Sequence, residues 1–258
     1  MTGSLIDVSI NGLTAEIALQ NPPLNLVTVE LLHDLHQAVR GLAREPELRS
    51  VIVHAGSARA FCAGSDVKEF ASIADEAIER KILLEDHVLR LLAQLPVPTI
   101  AAIQGAALGG GLELALACDL RIAHADATLG LTESRIGGLA GSGTQRLTRI
   151  VGPARAMELL FTAAVIGADR AAQWGLVNWV VTDVSALDEA RRVARVINSR
   201  GPVSNRLAKR LTSAALDVPI DAGLSHAVMA QQQIFETSDL HEGAASFCEK
   251  REPRFFGA

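Results

Sequence analysis

The chain has 258 residues, with 24 Lys and Arg against 29 Asp and Glu, a formal net charge of −5, and 49% apolar against 21% charged residues. That is an ordinary globular composition, which excludes disorder as the main state. The acidic balance and the few aromatics, seven Phe, two Trp and no Tyr, supply neither the charge footprint nor the stacking platforms of a dedicated nucleic-acid binder.

Length over ~150 residues per domain gives about 1.7, which suits one large domain or one domain with an appendage. Two strands open the chain at roughly 5–10 and 13–19, alternating in polarity and joined across Asn11-Gly12, a favoured hairpin turn. Asn21-Pro22-Pro23 ends the second, and Leu31, Leu32, Leu35, Val39 and Leu42 give a helix over about 28–43. Residues 50–54 read as a buried strand, 77–94 as a helix, and Thr99 to Ile103 as the next strand. Glycines at 104–111 then lead into an apolar helix that runs to about 118. Leu120 to Ala123 is another strand, followed by helices near 143–163 and 167–174 and a strand over 176–182. Beyond about 186 only helical patterns remain, at 186–200, 203–215, 220–237 and 239–250, broken at Gly201-Pro202 and Pro219. The fold class is therefore α/β with crossovers, carrying a helical tail. We divide it into a core over 1–195 that bears the active site and a helical region over 196–258.

Residues 91–112 are 22 consecutive uncharged residues, long enough to span a bilayer. Pro96, Pro98, the glycine cluster and the adjoining Glu113 argue instead for a buried strand, a turn and a buried helix start. Cys62, Cys118 and Cys248 are odd in number and lack C-x-x-C spacing, so neither a disulfide framework nor a zinc site is expected. With no basic leader, peroxisomal or lipidation signal, the expected location is cytoplasmic, with no membrane partner.

Chemistry concentrates around Leu108-Gly109-Gly110-Gly111-Leu112-Glu113, where glycines stand at a loop-to-helix junction. Backbone approaches a ligand closely only where side chains are absent, and the free N–H groups of a helix start favour negative charge. Neither a Walker A motif nor G-x-G-x-x-G is present. Glu113 lies one helical turn beyond Gly110 in an otherwise apolar helix, where an ionisable group is costly unless exposed, paired or used. Glu133 adjoins a second glycine-rich loop. Two carboxyls near one cavity push their pKa values apart, giving an acid and a base. The loop Phe61 to Lys68 can supply a backbone donor opposite Gly110, completing an oxyanion hole if the two converge.

Three segments, Phe61 to Phe70 (FCAGSDVKEF), Gln104 to Glu113 (QGAALGGGLE) and Thr144 to Leu147 (TQRL), resemble the crotonase superfamily of enoyl-CoA hydratases and isomerases. The likeness extends from Asn21-Pro22-Pro23 through Gly175-Leu176-Val177 to Glu249-Lys250-Arg251. It implies a crotonase-like spiral of ββα units with a C-terminal helical trimerisation region, forming a homotrimer or a homohexamer built as a dimer of trimers. It also implies acyl-CoA substrates, with oxyanion N–H groups on Ser65 and Gly110, CoA contacts at Ala63 (adenine) and Lys68 (phosphates), and catalytic carboxyls at Glu113 and Glu133. Possession of both glutamates implies an enoyl-CoA hydratase that needs no metal or further cofactor, coenzyme A being part of the substrate. An isomerase or specialised dehydratase is the alternative within the family. A binding module for acyl-CoA or RNA is the alternative outside enzymes. Departures from the family pattern are a loop after Glu133 one residue shorter with Ala140 in place of Pro, His226 in place of Glu, and Ser65 in place of Ala.

Other features have plainer readings. His33 and His36 are three apart on a helix without a third ligand, which suits a solvated face. His87 reads as a surface or capping group near the mouth of the site. Cys62 reads as a small buried filler. Seven basic residues between 191 and 210, with no acid among them, read as helix faces in solvent or at a subunit interface; attraction of CoA phosphates or RNA is the less expected use.

Overall fold

The computed structural model describes residues 3–257. Strands β1 (Ile6–Asn11) and β2 (Thr14–Leu19) form the expected hairpin, with Gly12 in the left-handed conformation at its turn. Helix α1 (Val29–Leu42) follows, its first turn capped by the Thr28 side chain, which accepts the Leu31 N–H. Then come β3 (Ser50–His54), α2 (Val67–Ser72), a π-helical turn over Ile78–Ile82 and α3 (Leu83–Ala93). The centre of the chain holds β4 (Thr99–Ile103), β5 (Ala106–Leu108), α4 (Gly110–Leu116), β6 (Leu120–His124) and β7 (Thr128–Gly130). Beyond these lie α5 (Gly141–Val151), α6 (Pro153–Thr162), β8 (Ile166–Gly167), α7 (Ala168–Gln173) and β9 (Trp179–Val181). Helices α8 (Ala186–Asn198), α9 (Pro202–Ala214), α10 (Ile220–Phe235) and α11 (Ser238–Glu249) complete the chain.

The larger sheet has the order β1-β2-β3-β4-β6-β9, parallel throughout except for the first hairpin. A smaller sheet, β5-β7-β8, runs alongside, and an isolated parallel bridge from Cys62 to Ala107 extends it toward the earlier loop. Each turn of the chain thus lays one strand in the large sheet and one in the small sheet before its helix: β4, β5 and α4, then β6, β7 and α5. This is a ββα spiral.

Both faces of the large sheet are covered, as a parallel sheet requires. Val51, Val53, Ala101, Ile103 and Ala123 face the cluster built with α1, α3 and α4. The alternate residues Ile52, Ile100, Ala102 and Ile122 pack on Ala186, Ala190, Val193 and Ala194 of α8. Helix α9 is tied to this core through Lys209, whose ammonium lies 2.7 Å from Asp119 and donates to the Val97 carbonyl at 2.9 Å.

Three expectations are corrected. The helix expected over 77–94 begins with a π turn, so the side chains before Leu83 take a different phase from those after it. The helix expected over 143–163 is two helices, because Gly152 adopts φ 80° and Pro153 can start a helix but not continue one. The strand expected over 176–182 is confined to Trp179–Val181, since the N–H groups of Leu176 and Val177 turn back to the Ala171 carbonyl at the end of α7. Among the described residues, no helix is long and apolar enough to cross a membrane.

Candidate active site

Two glycine turns meet at the start of α4. A Cβ at Gly111 would stand 2.1 Å from the Cys62 carbonyl oxygen, and one at Gly64 would stand 3.2 Å from that of Leu108. Glycine is what lets the loop 61–66 and the turn 108–111 approach this closely. Val27 bridges Ser65 by donating to the Gly64 carbonyl and accepting from the Asp66 N–H, so the N–H of Ser65 itself points away from Val27. Gly110 is the first residue of its helix, where an N–H has no intrahelical acceptor. Neither N–H finds an acceptor among the described residues. Ser65 and Gly110 are also adjacent, since a Gly110 Cβ would stand 3.2 Å from the Ser65 hydroxyl. The two residues that sequence reading paired are therefore brought together.

Glu113 and Glu133 flank this junction. Glu113 is 7% exposed, and its Oε1 accepts the Gly143 N–H at 2.5 Å and the Ser142 hydroxyl at 3.2 Å. Burial pushes its pKa up, against the lowering effect of those two bonds and of Arg146. Arg146, from the TQRL segment, is half-buried and donates to the Leu89 carbonyl. Glu133 opens a short 3-10 turn, Glu133–Ile136, and its carboxyl lies against Gly109, where a Cβ would stand 2.9 Å from Oε1. Its Oε2 is buried with no hydrogen-bond partner among the described residues. Burial, then the charge of Glu113, raises the Glu133 pKa.

Sequence reading missed a third carboxyl. Glu85 of α3 is 8% exposed, and its Oε1 would stand 3.0 Å from a Gly110 Cβ, on the same face as the Ser65 hydroxyl. Burial and the charges of Glu113 and Glu133, opposed by Lys81, raise its pKa to about 7. Lys81 was missed as well. Fully buried on the π turn, it donates to the Val27 carbonyl and to Glu69 Oε2, both at 2.7 Å, with the Phe70 ring 4.5 Å away. It thereby braces the strand segment against which the Ser65 loop is pinned. The available signal was spacing, since Lys81 and Glu85 stand four apart in a segment that must pass the glycine junction.

Ala63 donates its N–H to the Leu24 carbonyl, and Lys68 lies exposed in the first turn of α2, just beyond the Asp66 cap. Cys62 is buried and its thiol is pushed up to about 12, so it is packing rather than a nucleophile. His87 is exposed and meets His36 edge-on, with ring centroids 5.2 Å apart; His33 is exposed. In the basic stretch, Arg191 is bidentate to Glu16, Arg192 pairs with Glu189 and Lys209 with Asp119. Much of that charge is thus spent within the fold.

A paired glycine junction with flanking carboxyls on a ββα spiral is matched by a family model, described as enoyl-CoA hydratase/isomerase, over residues 9–258. The chain belongs to the enoyl-CoA hydratase/isomerase family. It is 38% identical over 244 residues to a probable mitochondrial enoyl-CoA hydratase 2 of Arabidopsis thaliana, covering 94% of this chain and 81% of the relative. It is 39% identical over 238 residues to a mitochondrial methylglutaconyl-CoA hydratase of Rattus norvegicus, covering 90% and 76%. The crystal structure of an enoyl-CoA hydratase from Bacillus anthracis superposes with a TM-score of 0.95 at 38% identity, covering 98% of this chain and all of that one. The crotonase-like fold of this family, with its C-terminal helices, is thus the fold of this chain.

Proposed function

We propose that the protein is an enoyl-CoA hydratase, adding water across the 2,3 double bond of 2-enoyl-CoA thioesters and reversing that step on 3-hydroxyacyl-CoA. The observation that carries this reading is the pair Glu113 and Glu133 on either side of the glycine junction, with the pKa of each raised, first of all by burial. In this reading the thioester oxygen lies between the N–H groups of Ser65 and Gly110, which take up the negative charge of the enolate. One water sits between the carboxyls. Glu113, held by two donors that favour its anion, takes a proton from the water as the water oxygen bonds to the β-carbon. Glu133, whose pKa burial and then the Glu113 charge push up, delivers its proton to the α-carbon. The water thus supplies hydroxyl and proton, and proton exchange between the carboxyls restores both. This chemistry calls for no metal or redox group.

The reading places CoA along Ala63, whose carbonyl suits the adenine amino group, and Lys68, whose ammonium suits a phosphate. It also assigns a partner. Leu224, Val228 and Met229 of α10 are exposed large apolar residues, and we assign this face to further copies of the chain in a homotrimer, or in a dimer of trimers.

The test is an absorbance assay of the conjugated thioester, with crotonyl-CoA and a longer 2-enoyl-CoA. Wild type should turn over, and Glu113→Gln and Glu133→Gln should each lose about 100-fold or more in kcat while still binding acyl-CoA. Full rate in both variants would remove the mechanism. Loss on replacing Glu133 alone would favour isomerisation between the α and γ carbons.

A further inference from the structure

We infer that Glu85, in its neutral form, is a third hydrogen-bond donor to the thioester oxygen, completing the oxyanion site formed by the N–H groups of Ser65 and Gly110. The inference rests on the assignment of that site to acyl-CoA and adds a residue that neither the family motifs nor the paired-glutamate mechanism contains.

Three observations carry it. First, Glu85 Oε1 stands 3.0 Å from the Cβ position of Gly110, beside the Ser65 hydroxyl at 3.2 Å. At a helix start both the N–H and the Cα–Cβ vectors lean toward the N-terminal end, so this oxygen fronts the same space as the unpaired Gly110 N–H. Second, Glu85 is buried as a residue, but its carboxyl oxygens, which make no hydrogen bond among the described residues, are not among the enclosed unpartnered atoms and so keep access to the open space of the site. A carboxyl placed this way is free to meet a group on a bound ligand. Third, Glu85 shares the buried face of α3 with Val88, Leu89 and Leu92 and follows directly on the π turn at Ile78–Ile82, which carries the buried Lys81. Such turns are frequent at functional sites.

Charge decides which form serves. Glu85 faces Lys81 from the π turn, Glu113 from α4, Glu133 from the 3-10 turn and Cys62 from the glycine loop. The single cation among these, Lys81, is itself paired with Glu69 of α2. A Glu85 anion would therefore add negative charge where the enolate develops. The neutral acid has an O–H to give, and its pKa of about 7 leaves a large fraction in that form near neutrality.

The experiment uses a chromophoric acyl-CoA, 4-(dimethylamino)cinnamoyl-CoA, whose absorption moves to the red when its thioester carbonyl is polarised. Its bound spectrum and the hydration of crotonyl-CoA are measured for wild type, Glu85→Gln and Glu85→Leu at slightly acid and slightly alkaline pH. The expected result is a red shift in wild type that shrinks as pH rises, a shift in Glu85→Gln that ignores pH, and a small shift in Glu85→Leu at either pH. Hydration by Glu85→Leu should fall about 100-fold in kcat with little change in KM, whereas Glu85→Gln, still a donor, stays within about 10-fold. An undiminished shift and rate in Glu85→Leu overturn the inference. Should Glu85→Leu fail to fold, Glu85→Gln decides alone, since a shift that keeps the wild-type pH dependence also overturns it. Wild type that binds and polarises the probe without hydrating crotonyl-CoA would sink the hydratase reading but leave Glu85 judged by the shift. If the probe does not bind at all, both fall.

Discussion

The carboxylate of Glu113 accepts the backbone N–H of Gly143, thirty residues further along the chain, at 2.5 Å. This bond ties the first turn of α4 to the start of α5, so the position of the carboxyl is set by the junction of two helices rather than by its own rotamer alone. The residue at 143 must be small for the bond to exist. A Cβ there would stand 2.9 Å from Glu113 Cγ and 3.1 Å from both its Oε1 and Leu131 Cδ1.

Gly143→Ala should therefore displace the carboxyl without unfolding the protein. Since a shift of about 1 Å costs on the order of 100-fold in a positioned step, kcat on crotonyl-CoA should fall about 10- to 100-fold. KM and the urea midpoint should change little. Unchanged kcat would mean that Glu113 does not need this tether.

Gly111→Ala should act on stability instead. Its Cβ would meet the Cys62 carbonyl oxygen at 2.1 Å and carbon at 2.7 Å, both backbone atoms held in the bridge to Ala107. Neither can swing aside as a side-chain tip could. We expect a loss of about 3 kcal/mol, at the upper end of overpacking costs, measured by urea denaturation. A loss below about 1 kcal/mol would show that the loop and α4 can separate at small cost.

Lys81→Met is expected to lose about 3 kcal/mol, because it strands a carboxylate and a carbonyl together. Glu69 is partly exposed and still accepts the Val29 N–H at 3.0 Å, which softens the loss. The double variant Lys81→Met with Glu69→Gln should recover part of it, and strict additivity of the two single changes would argue against a coupled pair.

How far the sequence revealed this depended on whether a residue's surroundings are local. Gly110, Glu113 and Ser65 sit in contiguous motifs whose glycine spacing carries the backbone geometry, and the central large-sheet strands β2, β3, β4 and β6 are mainly apolar runs that report their own burial. The strands β5, β7 and β8 are two or three residues long and built of Ala, Leu, Gly, Thr and Ile, too short to show a period. Their pairing joins segments far apart in the chain, which is tertiary. Lys81 and Glu85 stand at helical spacing with the buried Val88, Leu89 and Leu92, so their place on the inner face of the segment follows from periodicity, whereas the meeting of that face with the glycine junction is tertiary.

The pH dependence of stability gives a test that separates Glu85 from its neighbours. Its folded pKa lies above the ordinary glutamate value, so the folded state holds a proton that the unfolded chain has released. Below the ordinary value both states are protonated and Glu85 contributes nothing. As pH rises toward about 7 the folded state loses stability, and above that the penalty is complete. His54 pulls the opposite way, its pKa lowered mainly by burial, so that its share of stability grows with pH. Glu16, lowered by its bonds to Arg191, contributes stability that disappears only on acidification. The overall curve thus mixes signs, and the informative quantity is the difference between wild type and Glu85→Gln. In urea titrations the two should coincide below the ordinary glutamate pKa and diverge as pH rises from there, with Glu85→Gln more stable by about 2 to 3 kcal/mol on the alkaline side. Curves that stay parallel across neutrality would mean that the Glu85 carboxyl ionises as freely in the fold as in water.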